Sequence, residues 1–247
     1  MKKISSLLAY FSLFERCLLC GSVALILLSF FLGSGQSPLA LTASLIGVVA
    51  LILSAKGNPL GQVLILLFSL LYGVISYRAT YYGEMITYLG MSAPMAVFAL
   101  VSWLRNPYKG RRSEVRVDRL RRREIPLLLL FTAAVTVIFY FILRALGTAS
   151  LLPSTLSVTT SFVAVYLTAR RNPFYALAYA ANDVVLILLW VLAWFSDPSS
   201  LSVVFCFLVF LVNDLYGFYS WRKMERRQAA ETGKSKENGS TDGQLRH

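Results

Sequence analysis

Two short stretches, YAANDVVLILLW (residues 179–190) and FLVNDLYGFYSW (210–221), each set an Asn-Asp pair inside an apolar run. A carboxylate at the centre of a membrane-spanning helix costs roughly 2.5–3.5 kcal/mol, so Asp183 and Asp214 must face protein, water or a ligand. Asn182 and Asn213 can each donate and accept, which suits an amide or ribose hydroxyls. Tyrosines share their faces. Tyr175, Tyr179, Asn182 and Leu186 follow one another at steps of four, three and four, and Asn213, Tyr216 and Ser220 at three and four, the spacing of a single helix face. Thr155, Thr159, Phe162 and Tyr166 make a similar stripe one helix earlier, and Trp190 closes the first stretch as a further aromatic candidate. Aromatic faces attract cations and carboxylates offset their charge, so the set suits a positively charged ring. Within each pair, Asn182 and Asn213 are expected to touch the ligand. Asp183 and Asp214, about 100° further round the helix, are expected to hold helices together by hydrogen bonds.

These residues must be positioned by membrane helices. Hydrophobic side chains make up 57% of the 247 residues and charged ones 15%, and the mean hydropathy is +0.63, beyond what a water-facing surface permits. Apolar runs long enough to cross about 30 Å of hydrocarbon lie at 17–33, 39–55, 60–78, 84–104, 127–145, 151–169, 174–194 and 201–221. They are continuous, without the alternation of barrel strands, and leave no room for a soluble domain. GSGQSP (33–38), KGNP (56–59), RRNP (170–173) and SDPSS (196–200) read as tight loops between them. Lys2, Lys3, Arg16, Lys56, the arginines and lysine of 105–123, Arg170, Arg171 and the start of the tail at Arg222 fall on one side if both termini are cytoplasmic. The net charge of +12 is therefore mainly a topology signal. The loop RNPYKGRRSEVRVDRLRRRE (105–124) could also lie along lipid headgroups; no nucleic-acid module accompanies it.

Glu15-Arg16 interrupts the first apolar run and no small-x-small cleavage site follows, so it reads as a retained helix rather than a signal peptide. Cys17 and Cys20 lie in that helix without further ligands and the lone His247 is terminal, so no metal or cofactor is expected. No HExxH, GxSxG or Walker pattern occurs, which argues against an enzyme.

Internal repetition organises the rest. SAKGNP (54–59) matches TARRNP (168–173), and the Ser-Trp of LVSWLRN (100–106) matches that of FYSWRKM (218–224). Two three-helix units, 39–104 and 147–221, are so related, and the span 127–146 between them makes the repeats parallel, a transporter-like plan. The same registers set Phe68 against Asn182 and Met95 against Asn213, so the second unit is expected to be the binding half and the first a wall. The remaining segments are 1–38, the extra N-terminal helix with its approach; 105–126, a basic cytoplasmic loop; and 222–247, a polar tail expected to be disordered.

The segment TTSFVAVYLTARRNPFYALAYAANDVVLILLW, followed by NDLYGFYSWRKMERRQ, resembles the PnuC family of bacterial vitamin transporters, over roughly 39–228. The resemblance implies an all-α membrane fold of two parallel three-helix bundles joined by a linker helix, as in the sugar-carrying SWEET proteins, in a bacterial cytoplasmic membrane. It implies uptake of nicotinamide riboside by facilitated diffusion, with trapping by a separate kinase, and places family asparagines on Asn182 and Asn213. A Trp-x-x-Trp often precedes the first of these in the family; here Tyr175 and Ala178 stand there, with Tyr179 adjacent. Relatives carrying thiamine or riboflavin make other vitamins alternatives, and proton coupling through an Asp is a further one. The partners implied are a small vitamin and the bilayer, with homo-oligomerisation left open.

Overall fold

The computed structural model describes residues 10–32, 38–78, 82–148, 150–195 and 201–244. Eight helices in it are long and apolar enough to cross a membrane: α1 (Leu13–Leu32), α2 (Pro38–Ala55), α3 (Leu60–Arg78), α4 (Tyr82–Arg105), α5 (Glu124–Ala145), α6 (Leu151–Ala169), α7 (Phe174–Trp194) and α8 (Leu201–Gln244). The loops GSGQSP and SDPSS lie almost wholly outside the described residues.

α1 begins before its apolar run because Ser12 and Glu15 form a reciprocal cap. The Ser12 backbone N–H donates to Glu15 Oε2 at 2.7 Å and the Glu15 N–H to Ser12 Oγ at 3.2 Å, which satisfies amides a helix start leaves open. Glu15 therefore starts the helix instead of breaking it. α1 packs on α2 and α8. In α4 the stretch Thr87–Ser92 widens to a π-turn just before Pro94; proline cannot donate into the regular ladder, and a wider turn absorbs the mismatch.

The matched sequence motifs form matched structures. In both Asn-Pro turns the fourth residue has positive φ, +67° at Gly57 and +56° at Arg171. The asparagine carbonyls repeat too: Asn58 Oδ1 accepts from the Leu60 N–H and Asn172 Oδ1 from the Phe174 N–H, each at 3.0 Å. The two Ser-Trp motifs cross over. Trp103 Nε1 donates to the Thr168 carbonyl at 2.9 Å and Trp221 Nε1 to the Ser54 carbonyl at 2.8 Å, while the two indoles pack at 5.3 Å. Helix contacts follow the same exchange, α8 against α2 and α4 against α6, so both Asn-Pro turns lie at one end of the assembly. Helix α5 packs chiefly on α6 and is otherwise exposed, its apolar residues turned outward.

The basic loop is ordered. Pro107–Tyr108 (β1) and Arg111–Val115 (β2) form an antiparallel hairpin, turned by Lys109 and Gly110 at positive φ. Its exit strand joins both Asn-Pro turns: the Val115 N–H donates to the Gly57 carbonyl and the Asp118 N–H to the Arg171 carbonyl. Burial pulls the Arg171 guanidinium below its ordinary range, against the opposing charge of Asp118. Nor does helix α8 end at Trp221, where disorder is expected. It runs on to Gln244, and the loop supplies partners for its next turns as far as Glu231: Arg119 meets Glu225, Gln228 bonds Val117 and Val115, and Tyr108 bonds Glu231.

Candidate functional site

A cavity is walled by residues of α2, α3, α4, α6, α7 and α8. Helix α7 carries the densest polar set, Tyr175, Tyr179, Asn182 and Asp183, all on its wall, and α8 adds Asp214. Asn182 is 5% exposed and its orientation is fixed by α6: Oδ1 accepts from Thr160 Oγ1 at 2.8 Å, Ser161 Oγ at 3.0 Å and Ser157 Oγ at 3.3 Å. With the carbonyl so occupied, the amide N–H₂ is the group left for a ligand. Asp183 and Asp214 face this one cavity from the adjacent helices α7 and α8. Asp183 Oδ2 is buried with no protein partner, a costly arrangement for an acceptor unless the site uses it.

Aromatic rings from both units complete the lining. Phe68, Tyr88, Phe207 and Phe210 line the cavity and pack edge to face, with Phe68 5.9 Å from Tyr88 and 5.5 Å from Phe210. Tyr72 continues the cluster, 4.5 Å from Tyr88. Gly47 makes room for it, since a Cβ there would stand 2.4 Å from Phe210 Cζ. At the other end Tyr175 packs on Trp221 at 5.0 Å, beneath the crossed tryptophans. The space enclosed is about 60 Å³, whereas cavities that take small ligands usually reach about 300 Å³ or more. A nucleoside-sized compound therefore enters only as the walls part, and the rotatable rings and the π-turn that carries Tyr88 and Ser92 are the parts able to give.

Of the residues expected from sequence, Tyr175, Tyr179, Asn182, Asp183 and Asp214 come together here. Five do not. Asn213 points to α1, its Nδ2 donating to Ser22 Oγ at 3.0 Å and to the Val209 carbonyl at 2.8 Å. Tyr216 also faces α1, donating to Glu15 Oε1 at 2.9 Å and packing on Phe14. Thr159 bonds Thr136 of α5 at 2.8 Å. Tyr166 packs beside the Trp103–Trp221 cluster, and Trp190 is buried in the apolar core with Tyr72 and Phe207. On α8 the roles expected within the pair are exchanged: Asn213 ties helices together and Asp214 reaches the cavity. On α6 the stripe of Thr155 and Thr159 is the wrong face, because helical spacing defines a face without saying which neighbour it meets.

The first unit is more than a wall. Phe68 lines the cavity as placed, Met95 does not, and Ser54, Gln62, Ser69 and Ser92 add polar groups to it, with Gln62 Nε2 donating to Ser54 Oγ at 3.3 Å. Gln62 was findable as the one amide in the run 60–78. Ser69 was findable by repeat register, since aligning Asn58 with Asn172 sets it against Asp183.

Comparison with known proteins gives the chain its relatives. The chain is 27% identical over 206 residues, 81% of its length and 78% of the relative's, to the nicotinamide riboside transporter PnuC of Neisseria mucosa. It is 24% identical over 193 residues, 78% of its length and 82% of the relative's, to the nicotinamide riboside transporter PnuC of Haemophilus influenzae. A crystal structure of the vitamin B3 transporter PnuC superposes with a TM-score of 0.77 at 25% identity, covering 88% of this chain and 94% of that one. The family described as nicotinamide mononucleotide transporter matches residues 37–223, a span that holds every wall of the cavity, and the chain belongs to that family of membrane transporters.

Proposed function

We propose that the protein carries nicotinamide riboside across a bacterial cytoplasmic membrane, and that the cargo is the riboside rather than its phosphorylated form. The observation that carries this choice is the charge of the cavity. Asp183 and Asp214 line it, and no Lys, Arg or His does among the described residues. A phosphate would meet a negative pair in an apolar surround without a cation to bind it. The riboside bears one positive charge on its pyridinium ring, which a carboxylate of the pair can balance, while Phe68, Tyr88 and Tyr179 offer ring faces for cation–π contact. Asn182 and Gln62 suit the carboxamide and ribose hydroxyls.

The units 39–104 and 147–221 act as two parallel three-helix bundles joined by α5, and their relative rocking exposes the cavity alternately to either side. The end that holds both Asn-Pro turns is the cytoplasmic one, because Lys56, Arg170, Arg171, the hairpin and the basic turns of α8 gather there. Transport is passive: the imported nucleoside is trapped by a kinase elsewhere. Counterflow in proteoliposomes tests the assignment. Labelled nicotinamide riboside should exchange, nicotinamide mononucleotide should not compete from the outer face, and an imposed pH gradient should not drive accumulation. Exchange of thiamine alone, which has the same ring charge but no ribose, would replace the substrate and keep the site.

A further inference from the structure

A second, larger cavity of about 600 Å³ opens at the end of the assembly that carries the basic loops, between the residues preceding α1, the α2–α3 turn, β2 and the extension of α8. Its lining is unlike that of the central cavity. Four cations, Lys56, Arg111, Lys223 and Arg227, face two carboxylates, Glu15 and Glu114. Both carboxylates are already engaged: Glu15 holds Lys56 at 3.0 Å and accepts from Tyr216, and Glu114 holds Arg227 and accepts from Gln228. Arg111 on β2 and Lys223 on α8 have no ion pair among the described residues. Tyr219 adds a ring to the lining, and so does Tyr10, one face of which is covered by Lys56 Nζ at 4.7 Å. Two uncompensated cations with a planar guanidinium suit a phosphate dianion, which arginine grips by two parallel hydrogen bonds. Tyrosine rings suit a stacked heterocyclic base.

We propose that this pocket binds a nucleoside monophosphate from the cytoplasm, and that its occupancy slows transport. A kinase that traps an imported nucleoside must release a product of this class, so the pocket would report how much has been made. The walls explain the coupling. They belong to Lys56 in the first unit's turn, to the hairpin and to α8 of the second unit, so a bound phosphate bridges parts that must separate when the bundles rock. The slowing rests on the transport reading given above; the binding does not.

The test uses the full chain in detergent micelles without added phospholipid, titrated calorimetrically with nicotinamide mononucleotide. Binding should weaken as salt rises, fall at least tenfold in the Arg111→Ala/Lys223→Ala double variant, persist in Arg111→Lys/Lys223→Arg, and be unchanged in Asp214→Asn. In proteoliposomes loaded with the mononucleotide, riboside exchange should be slowed for the native chain and not for the double alanine variant. If binding is absent, or is lost in Asp214→Asn and kept in the double variant, the assignment is overturned. It is equally overturned if the double variant alters only the response to nanodiscs of phosphatidylglycerol against phosphatidylcholine, since the occupant is then a lipid headgroup. Mononucleotide binding at this pocket without any riboside exchange would uphold the site and remove the transport reading instead.

Discussion

The two repeated units agree at their ends and differ at their centre. At the end, Ser54 and Thr168, Gly57 and Arg171, Asn58 and Asn172, and Trp103 and Trp221 occupy matched positions and make matched bonds. Around the cavity the same registers set Phe68 against Asn182, Ser69 against Asp183, Gly47 against Ser161 and Ala96 against Asp214. Bonds that close one unit onto the other depend on both partners, so change on one side alone is costly and the pair stays alike. Cavity walls face the ligand and not their own counterparts, so each half is free to differ. The result is a symmetrical frame around an asymmetrical site, with both carboxylates in one half, none in the other, and aromatic rings and hydroxyls in each.

The asymmetry is broken most severely at the carboxylates. Asp183→Asn or Asp214→Asn takes from a ring cation in an apolar cavity one of the two carboxyl groups that face it, and at roughly 2 kcal/mol for a buried charge partner uptake of nicotinamide riboside should fall about 30-fold. Ser69→Asp, at the matched place in the first unit, should not rescue either variant in the same uptake assay. A smaller loss follows from Gly47→Ala. Its Cβ would press on Phe210 from 2.4 Å, and overpacking of this kind costs about 1–3 kcal/mol, so uptake should drop while membrane insertion is kept. Smaller again is the contrast between the asparagines. Asn182→Ala should weaken uptake by about tenfold through the loss of a buried polar contact. Asn213→Ala should leave uptake within about twofold and instead lower thermal stability, by the ~0.6–1.7 kcal/mol of one interhelical bond in a membrane, because it faces Ser22 of α1. Equal uptake losses at both would return Asn213 to the ligand.

The frame was legible because it rests on local signals: apolar runs of the right length, Asn-Pro turns and a repeated Ser-Trp. The helix bounds α3, α6 and α7 coincide with the apolar runs from which they were expected. The site was legible on α7, where one crowded face carries Tyr175, Tyr179 and Asn182, and half-legible on α8. There Asn213 and Asp214 are neighbours 100° apart, and choosing between them requires knowing that α1 covers one side, a contact far off in sequence. Helix α6 misled for the same reason: threonines that bond their own backbone, as Thr155 and Thr159 do to Leu151 and Thr155, look as polar as the serines that hold Asn182. The ordered hairpin and the long α8 were hidden because each is stabilised by the other, through Gln228 and Glu225 against Val117 and Arg119, and neither has an apolar periodicity of its own.

The smallest effects test the symmetrical half of the comparison. Trp103→Phe removes the indole N–H that reaches the Thr168 carbonyl, and Trp221→Phe the one that reaches the Ser54 carbonyl, while both keep a buried ring in the contact between the two. Each lost bond is worth about 1 kcal/mol net, so the two variants should lower the unfolding temperature by similar amounts, and the double variant by close to their sum if the bonds act independently. Each bond joins one unit to the other at the end opposite the aromatic cluster, so loosening either should favour parting of the units there without touching the ligand. Riboside affinity should then hold while the exchange rate rises slightly, and by the same factor for each variant. A change confined to Trp221→Phe would mean that Tyr175, packed on Trp221, shifts with it, and that the asymmetry of the cavity reaches down to the crossed tryptophans.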